Sequence, residues 1–378
     1  MRKMKLIALK DVCKINMGQS PNSSSYNDYG DGMPFFQGNA DFGERYPITR
    51  VWCNTPTKIA QAEDILISVR APIGALNYAK EECCIGRGLA AITPDRNKVS
   101  QDFIYWALKG KKAELNDKGN GSTFKAISRK ILEETMIPDI NFEQQHKCAE
   151  NLEKIYGIIQ NRRKELLALD DLIKARFVEM FGDMIINPNG WGKVLLGEAC
   201  DVRDGTHDSP KYFTEGYPLV TSKNVTGGKI DFADCSLICE EDYNKINQRS
   251  KVDMGDILMP MIGTVGNPVI VDIEAEFAIK NVALIKFREN STVINSFVKA
   301  LLESDYFDRA VISKVRGGTQ KFISLGDIRK LEICLPPIAV QEQFSDFAKQ
   351  VDKSKVAVQK ALDETQTLFD SLMQEYFG

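Results

Sequence analysis

Two long segments of the chain, Asn141–Phe181 and Ala339–Phe377, contain no proline and carry an apolar side chain every three or four residues. This spacing is the period of one face of an α-helix, sustained here over about eleven turns. The first stripe is interrupted at Arg162, and the second is weak at Ser354 and Thr365. Each predicted helix needs a partner to cover its stripe. The residues expected to pack in this way are Leu152, Ile155, Ile159, Leu166, Leu169 and Ile173 in the first segment and Val351, Val358, Leu362, Phe369 and Leu372 in the second.

The two segments are copies of one another within a tandem duplication. Phe344 falls on Cys148 at an offset of 196 residues (344 − 148), and Leu362 falls on Leu166 at the same offset. Upstream, EDILISVRAPIG at 63–74 aligns with GDILMPMIGTVG at 255–266, at an offset of 192. The offset changes because the intervening loops differ in length. Each half of the chain is therefore expected to form one globular unit and one long helix.

The globular units are expected to be mixed α/β structures, because apolar runs bounded by glycine and proline are followed by a helical stretch. The predicted elements are Ile65–Val69, Leu89–Thr93 and Asp102–Lys109 in the first copy and Ile257–Met261, Val282–Phe287 and Ser296–Glu303 in the second. Prolines 138 and 336 mark the entry into each long helix. The predicted boundaries are 1–140 and 187–338 for the globular domains and 141–186 and 339–378 for the helices.

The composition is that of an ordinary water-soluble protein with a sizeable core. Of the 378 residues, 43 % are hydrophobic, and no apolar run reaches the roughly 18 residues of a membrane helix. The apolar run at the N-terminus is too short for a signal peptide, so a cytoplasmic location is expected. The nine cysteines lack disulfide-framework spacing, which favours reduced thiols.

The charge distribution favours an anionic partner more than the net charge does. The net charge of −3 argues mildly against nucleic acid. The windows 109–130 and 309–330, however, each carry a net charge of +5 (7 − 2 and 6 − 1). Solvated helix faces would explain these windows equally well.

Two loops inside the basic windows repeat one another. GNGSTFKAIS at 119–128 aligns with RGGTQKFIS at 316–324, with Lys125 on Lys321. Backbone amides, a hydroxyl and a cation held close together suit a phosphate group, whereas a helix cap and turn is the plainer interpretation. The DNA contacts predicted here are Lys125 and Arg129 in the first copy and Arg316, Thr319, Gln320 and Lys321 in the second.

Polar side chains in the loops that differ between the copies are the candidate base-reading residues. Amide side chains can pair with adenine and cations with guanine in the major groove, although each residue taken singly is as well explained by a turn or a cap. The candidates are Gln19, Asn22, Tyr26, Gln37 and Asn39 in the first copy and Thr206, His207, Ser222, Lys223 and Asn224 in the second, with Arg70, Arg87, Thr264 and Lys280 at strand ends.

Taken together, these features resemble the DNA-specificity (S) subunit of type I restriction-modification systems over the whole chain. The resemblance is carried by the two half-repeats and by the motifs DGTH at 204–207, GDIL at 255–258 followed by GTVG at 263–266, RGGTQKFIS, and the P-P-x-x-x-Q-x-Q turn at 336–343. The first copy departs from the pattern, since Gln19 replaces the threonine of DGTH and SVRAPIG lacks the usual Gly-Thr.

The resemblance implies an α+β fold in which two mixed α/β target-recognition domains, related by pseudo-two-fold symmetry, are separated by two long antiparallel helices that form a coiled-coil spacer. It implies a non-catalytic subunit whose two domains each read one half of a bipartite, asymmetric sequence in double-stranded DNA. The implied partners are two methyltransferase (M) subunits, which bind S-adenosylmethionine and methylate adenine, and restriction/translocase (R) subunits, which use ATP and magnesium. No cofactor and no membrane contact are expected for this chain.

Two other classes of function stay open on the residues alone: a self-contained DNA-modifying enzyme, and a coiled-coil assembly protein that does not bind DNA. Neither a G-x-x-x-x-G-K-[ST] phosphate loop nor the Asn/Asp-Pro-Pro-Tyr/Phe tetrad of amino-methyltransferases occurs in the sequence. No metal site is expected, because Cys235 and Cys239 have only His146 and His207 as histidine co-ligands in the chain. No catalytic residue is expected either, since His207 has no identifiable nucleophile as partner.

If the long helices set the distance between the two half-sites, inserting four residues into one of them lengthens it by about 6 Å. The unspecified spacer of the DNA target is then expected to grow by about one or two base pairs of ~3.4 Å each. Sequencing of methylated bases in cells that carry the variant measures this spacer. An unchanged spacer with full methylation activity would refute the expectation.

Overall fold

The computed structural model describes residues 5–120, 125–262, 265–274, 276–312 and 322–378. The chain forms two compact units, Met1–Arg163 with Lys360–Gly378, and Lys164–Gln359. Both boundaries fall inside the long helices, so each unit contains part of each helix. The boundaries predicted from the sequence differ, because they assigned each helix whole to its own segment. Within the described part of the chain, no helix combines the length and hydrophobicity needed to cross a membrane.

The first unit is built mainly from short strands. Its helices are α1 Leu9–Val12, α2 Gln101–Gly110, α3 Lys112–Asp117, α4 Arg129–Glu133 and the start of α5 Phe142–Phe181, with 3-10 turns at Ser23–Ser25 and Asn39–Asp41. Its strands are β1 Leu6–Ala8, β2 Cys13–Met17, β3 Tyr26–Asn27, β4 Met33–Phe36, β5 Trp52–Cys53, β6 Ile59–Ala60, β7 Ile65–Ser68, β8 Leu76–Tyr78, β9 Cys83–Ile85, β10 Leu89–Pro94 and β11 Met136–Pro138.

The second unit repeats this order of elements, with an additional helix, α7, between β17 and β18. Its helices are α6 Leu196–Ala199, α7 Glu240–Ser250, α8 Asn295–Leu302, α9 Asp305–Ala310, α10 Leu325–Arg329 and the start of α11 Ile338–Phe377. Its strands are β12 Lys193–Leu195, β13 Asp201–Asp204, β14 Tyr217–Val220, β15 Val225–Thr226, β16 Lys229–Ile230, β17 Ser236–Ile238, β18 Ile257–Pro260, β19 Val269–Ile270, β20 Ala278–Ile279, β21 Val282–Lys286 and β22 Glu332–Cys334.

Both units contain the same pair of sheets. An antiparallel four-stranded sheet has the order β2-β10-β7-β8 in the first unit and β13-β21-β18-β19 in the second. A second sheet in each unit holds one parallel pair, β4 with β9 and β14 with β20. Strands β7 and β18 are buried throughout, which explains their continuous apolar sequence. The predicted mixed α/β fold is confirmed.

The long helices pack antiparallel within each unit, as predicted. In the first unit Asn151, near the start of α5, donates a hydrogen bond to the hydroxyl of Tyr376, near the end of α11 (3.2 Å). In the second, the rings of Phe177 and Phe344 lie 5.6 Å apart at the opposite ends of the same helices. All eleven residues predicted to pack in the stripe are buried or half-buried.

The polar residues that interrupt the two helix stripes bind one another across the pair of helices. The guanidinium of Arg162 donates hydrogen bonds to the carbonyl of Ala361 and to the hydroxyl of Thr365, both in the first unit. Thr365, a weak position in the apolar stripe of α11, therefore binds Arg162, the cation that interrupts the stripe of α5. In the second unit, Lys355 forms an ion pair with Asp170 across the two helices (2.5 Å).

Helix α5 ends at Phe181, five residues before the predicted boundary at 186. Gly182 adopts a left-handed conformation with φ of 68°, which commonly terminates helices because a side chain is disfavoured there. A Cβ at this position would also overlap the ring of Pro188. The segment Gly182–Ile186 is therefore a turn and not helix.

Buried glutamines join the long helices to the globular parts. The side-chain oxygen of Gln145 accepts a hydrogen bond from the amide of Ser100 (2.7 Å), the residue before α2. Gln341, which lies 196 residues further on (341 − 145), accepts in the same way from the amide of Ile294 (3.0 Å), the residue before α8. The N-cap side chains of α2 and α8 accept no hydrogen bond from the backbone. Each glutamine thus supplies a hydrogen-bond acceptor at a helix start that has none from its N-cap residue.

Replacing Gln341 with methionine is expected to lower the free energy of unfolding of the second unit by about 3 kcal/mol. The change removes the bond to Ile294 and two bonds donated to the carbonyls of Thr292 and Pro336 (3.0 and 2.8 Å), and buried polar groups without partners cost about 1–3 kcal/mol each. Urea unfolding measures the difference. Gln343→Met, exposed two residues further on at the opposite face of the same helix, is the matched control, and equal losses in both variants would refute the role of Gln341.

Candidate nucleic-acid interface

In each unit, the glycine directly after the first strand of the four-stranded sheet packs against the backbone of a neighbouring turn, and we call this contact the glycine crossing. The amide of Gly18, after β2, donates to the carbonyl of Leu89 (2.9 Å), and that of Gly205, after β13, donates to Val282 (3.1 Å). A Cβ on Gly18 would overlap the carbonyl oxygen of Gly86, and one on Gly205 would overlap that of Ile279. Only glycine allows this approach without a backbone shift.

This crossing brings predicted contact residues of the first unit together. The amide of Gln19 donates to Ile85 (3.0 Å), and the amide of Arg87 donates to the hydroxyl of Ser20 (3.3 Å). A Cβ on Gly88 would overlap the carbonyl oxygen of Gln37, so these two turns touch. The side chains of Gln19, Gln37 and Arg87 are exposed on the resulting surface.

Two more predicted cations border the same surface. The amide of Val69 donates to Gly88 (2.9 Å), and the amide of Ala71 donates to Lys125 (3.1 Å), which places Arg70 and Lys125 beside the Arg87 turn. Both side chains are exposed. Among the residues that the structure describes, no carboxylate lies within ion-pair distance of Arg70, Arg87 or Lys125. We call Gln19, Gln37, Arg70, Arg87 and Lys125 the first reading surface.

Other predicted residues of the first unit have local structural partners. The side-chain oxygen of Asn22 caps a 3-10 turn by accepting from the amide of Ser24 (3.1 Å). The hydroxyl of Tyr26 donates to the carbonyl of Pro21 (2.8 Å), and its ring packs on Phe35. Asn39 is half-buried in the second 3-10 turn.

The basic window of the first unit is largely neutralised by its own carboxylates. Arg129 pairs with Glu133 (2.7 Å), and Lys118 pairs with Glu114 (2.6 Å). Lys109 lies over the ring of Tyr156, with its Nζ 3.6 Å from the ring centroid, and burial lowers the pKa of its amine to about 8. These contacts favour solvated or packed helix faces over phosphate binding for most of the window.

In the second unit, predicted residues line an open groove of about 750 Å³. Lys223 is exposed in it, and the half-buried Lys280 donates from Nζ to the hydroxyl of Ser209 (2.5 Å). Ser222 donates to the carbonyl of Asn281 (3.3 Å). Since Leu89 and Val282 receive equivalent bonds at an offset of 193 (282 − 89), Lys280 occupies the place that Arg87 occupies in the first unit.

The structure places Asn224 differently from the prediction of a base contact. Its side chain is buried, and its oxygen accepts from the amide and the hydroxyl of Thr221 (3.0 and 2.9 Å). Asn224 therefore closes a turn beneath the groove. An asparagine in a polar loop suits either role, and only burial separates the two.

His207 lies between two side-chain oxygens at the rim of the second unit. Its Nε2 is 2.9 Å from Oδ2 of Asp204, and its Nδ1 is 2.8 Å from Oδ1 of Asn281. The other carboxylate oxygen of Asp204 pairs with Arg249 of α7. The bond to Asn281 and the bond and charge of Asp204 raise the pKa of His207 above its ordinary value, against burial and Arg249. Thr206 accepts from the amide of Asp208 (3.1 Å) beside this cluster.

Sequence reasoning missed Asn281 and Arg249, which are distant in the chain from the DGTH motif. Asn281 has a left-handed backbone with φ of 54°, and at the offset of 193 it falls on Gly88 of the first copy. Glycine and asparagine are the residues that most readily adopt a left-handed backbone. Their occurrence at equivalent positions of the two copies is the signal that could have identified this turn.

Some predicted contacts cannot be placed. Thr264, Arg316, Thr319, Gln320 and Lys321 lie outside the described residues, as do residues 121–124. Over the described ranges, no group of three or more histidine, cysteine or acidic side chains is arranged to hold a metal ion.

The duplicated frame matches a known family model twice. The model of the type I restriction modification DNA specificity domain matches residues 1–168 and again residues 188–365. The chain belongs to this family. The two matched segments together cover both copies of the sheet pair and both glycine crossings.

The proteins to which this chain is similar match it over different lengths of sequence. A protein of Methanocaldococcus jannaschii named as the MjaX type I restriction enzyme specificity subunit is 47% identical over 152 residues, or 40% of this chain and 36% of that protein. The EcoBI specificity subunit of Escherichia coli is 22% identical over 98% of this chain and 85% of its own length. The crystal structure of the type I S subunit from M. genitalium superimposes with a TM-score of 0.60 at 16% identity, over 100% of this chain and 97% of that one, and shows the same fold.

Gly205→Ala is expected to destabilise the second unit by about 1–3 kcal/mol, because the added methyl group overlaps the backbone of Ile279 and forces the loop to move. Urea unfolding measures the loss. Gly192→Ala is the control, since a Cβ there meets no atom within 4 Å. The close crossing would be disproved by identical unfolding curves for the two variants.

Proposed function

We propose that each unit reads one half of a bipartite, asymmetric sequence in double-stranded DNA, and that the chain thereby directs adenine methylation and restriction by partner subunits. The observation that carries this proposal is the same backbone frame formed twice with different side chains exposed at the same place. Gln19 and Arg87 stand in the first unit where Thr206 and Lys280 stand in the second. Two such surfaces bind the same kind of polymer but select different bases.

The chemistry of the first reading surface suits the major groove. Two amide side chains, Gln19 and Gln37, can each pair with adenine through two hydrogen bonds, and Arg87 can pair with guanine in the same manner. Arg70 and Lys125 lack carboxylate partners among the described residues, so their charge is available to phosphates. In the second unit Lys223 and Lys280 are the corresponding cations beside the groove.

The partners in this proposal are methyltransferase and restriction/translocase subunits. The curated relatives are named as subunits of type I restriction enzymes, which implies assembly with other chains. Helix α5 leaves Leu167 and Val178, about three turns apart on one face, exposed in the second unit, and such exposed apolar positions suit contact with a helix of a methyltransferase subunit. S-adenosylmethionine, ATP and magnesium would be bound by these partners, and no catalytic step is assigned to this chain.

Arg87→Ala is expected to weaken binding of the complex to its target by about 1–3 kcal/mol if Arg87 pairs with a base, or to lower the slope of log affinity against log salt by about 0.9 if it contacts a phosphate. Fluorescence anisotropy with the methyltransferase subunit present, at several salt concentrations, distinguishes the two.

The matched control is Arg129→Ala, an exposed arginine of the same unit that is paired with Glu133. Its removal is expected to leave both quantities nearly unchanged. The first reading surface would be wrongly assigned if both variants bound DNA as the unmodified chain does.

A further inference from the structure

Asp204, His207 and Asn281 form a hydrogen-bonded bridge in the second unit, which we call the clasp. The carboxylate of Asp204 is only 8% exposed, whereas the imidazole of His207 is 63% exposed. One carboxylate oxygen faces Nε2 of His207 and the other receives the guanidinium of Arg249. The clasp therefore connects a buried acid to the surface of the groove in the second unit.

Both ring nitrogens of His207 face hydrogen-bond acceptors. Oδ1 of Asn281 is an amide oxygen, and Oδ2 of Asp204 belongs to a carboxylate whose other oxygen pairs with Arg249. A neutral imidazole carries one N–H and could donate to only one of these oxygens. The imidazolium satisfies both contacts, with Nδ1–H donating to Asn281 and Nε2–H donating to Asp204, and the raised pKa of His207 agrees with this arrangement.

The clasp joins the end of β13 and the loop after it to the turn that lines the groove. Asp204 ends β13, His207 lies in the loop after it, and Asn281 lies in the turn between β20 and β21. The amide of Asn281 also donates to the carbonyl of Thr206 (3.2 Å), and its carbonyl accepts from Ser222. Lys280 directly precedes this turn, so the clasp determines where that cation points.

We propose that the clasp is a positioning device for the DNA-reading loops of the second unit, and that its imidazolium makes DNA binding by this unit depend on pH. This inference rests on the proposed function. Asp204, Arg249 and protonated His207 sum to a net charge of +1, and deprotonation of His207 brings the sum to zero. Beside the clasp, the pocket at Asp204 adds Asp208, Asp242 and Lys245, and the groove adds Asp231, Asp234, Lys223 and Lys280, which together sum to −1 (3 − 4).

Loss of the proton affects position as well as charge. One ring nitrogen then presents a lone pair to an oxygen less than 3 Å away, which is repulsive and releases one side of the clasp. Because folding raises the pKa of His207, the clasp stabilises the second unit fully below the ordinary histidine pKa of about 6.5. That contribution is lost as the pH rises through the higher folded value.

The first unit has no equivalent clasp. At the offset of 187 that aligns the two glycine crossings (205 − 18), Met17 replaces Asp204 and Ser20 replaces His207. Ser20 joins the Arg87 turn through a neutral hydrogen bond from the amide of Arg87. The pH dependence should therefore arise from the second half of the target only.

The test compares His207→Gln and Asn281→Asp with the unmodified chain, each in complex with the methyltransferase subunit, by anisotropy on the target duplex from pH 5.5 to pH 8.5. For the unmodified chain we expect affinity to fall roughly three- to tenfold as pH rises, the effect of losing about one cation near phosphates. His207→Gln should abolish this change. Asn281→Asp supplies a second carboxylate to the ring and should move the midpoint to higher pH.

The chain contains only one other histidine, His146, which is exposed on α5 in the first unit. His146→Gln is therefore the matched control and should keep the pH profile of the unmodified chain. A His207→Gln complex that retains that profile would overturn the proposal, as would an Asn281→Asp midpoint at or below the original.

Histidine ring resonances of the full chain separate the clasp from the proposed function. Two ring signals are expected, assigned by the two histidine variants, and the His207 signal should titrate at lower pH in Asn281→Leu than in the unmodified chain. If the complex fails to bind DNA at any pH, the proposed function fails, while this titration still decides the clasp. An unchanged His207 midpoint in Asn281→Leu would reject the imidazolium clasp.

Discussion

The buried glutamine at the start of each long helix is the contact on which the rest of each unit depends. The buried side chains of Gln145 and Gln341 supply a hydrogen-bond acceptor to the amides of Ser100 and Ile294, the residues directly before α2 and α8, and a buried amide without a partner would be costly. In the second unit, α8 follows β21, and β21 follows the Asn281 turn. The long helix α11 is thus connected to the groove through α8, β21 and the Asn281 turn.

In this fold, the backbone geometry that the two copies share and the side chains that differ between them lie at different positions. The glycine crossings at Gly18 and Gly205 tolerate no side chain, because a carbonyl oxygen occupies the space where Cβ would lie. The residues that follow them extend into solvent and have no such restriction. A duplicated domain can therefore retain its strand order while its exposed loops diverge, which is the property required of two readers with different targets.

The fold was largely predictable, and the site was predictable only in part. The apolar periods identified both long helices and the buried strands, because burial leaves a regular trace in the sequence. Gln19 and Gln37 were expected in polar loops and Arg87 at a strand end, and the structure brings their exposed side chains together in one place. Asn224, in contrast, is buried in a turn, since an asparagine amide pairs as readily with a neighbouring backbone as with a base.

The sequence by itself determined the duplication, the two long helices and the mixed α/β class, because these depend on spacings between residues that are near one another in the chain or aligned by a constant offset. Only the tertiary structure decided which polar residues share a surface and which groups shift their pKa. His207 is the clearest case, since its pKa is raised by Asn281, 74 residues away, and by the carboxylate of Asp204, which pairs with Arg249, 45 residues from it. A protonation state is set by the groups that surround a ring in space, and no local pattern in the sequence records them.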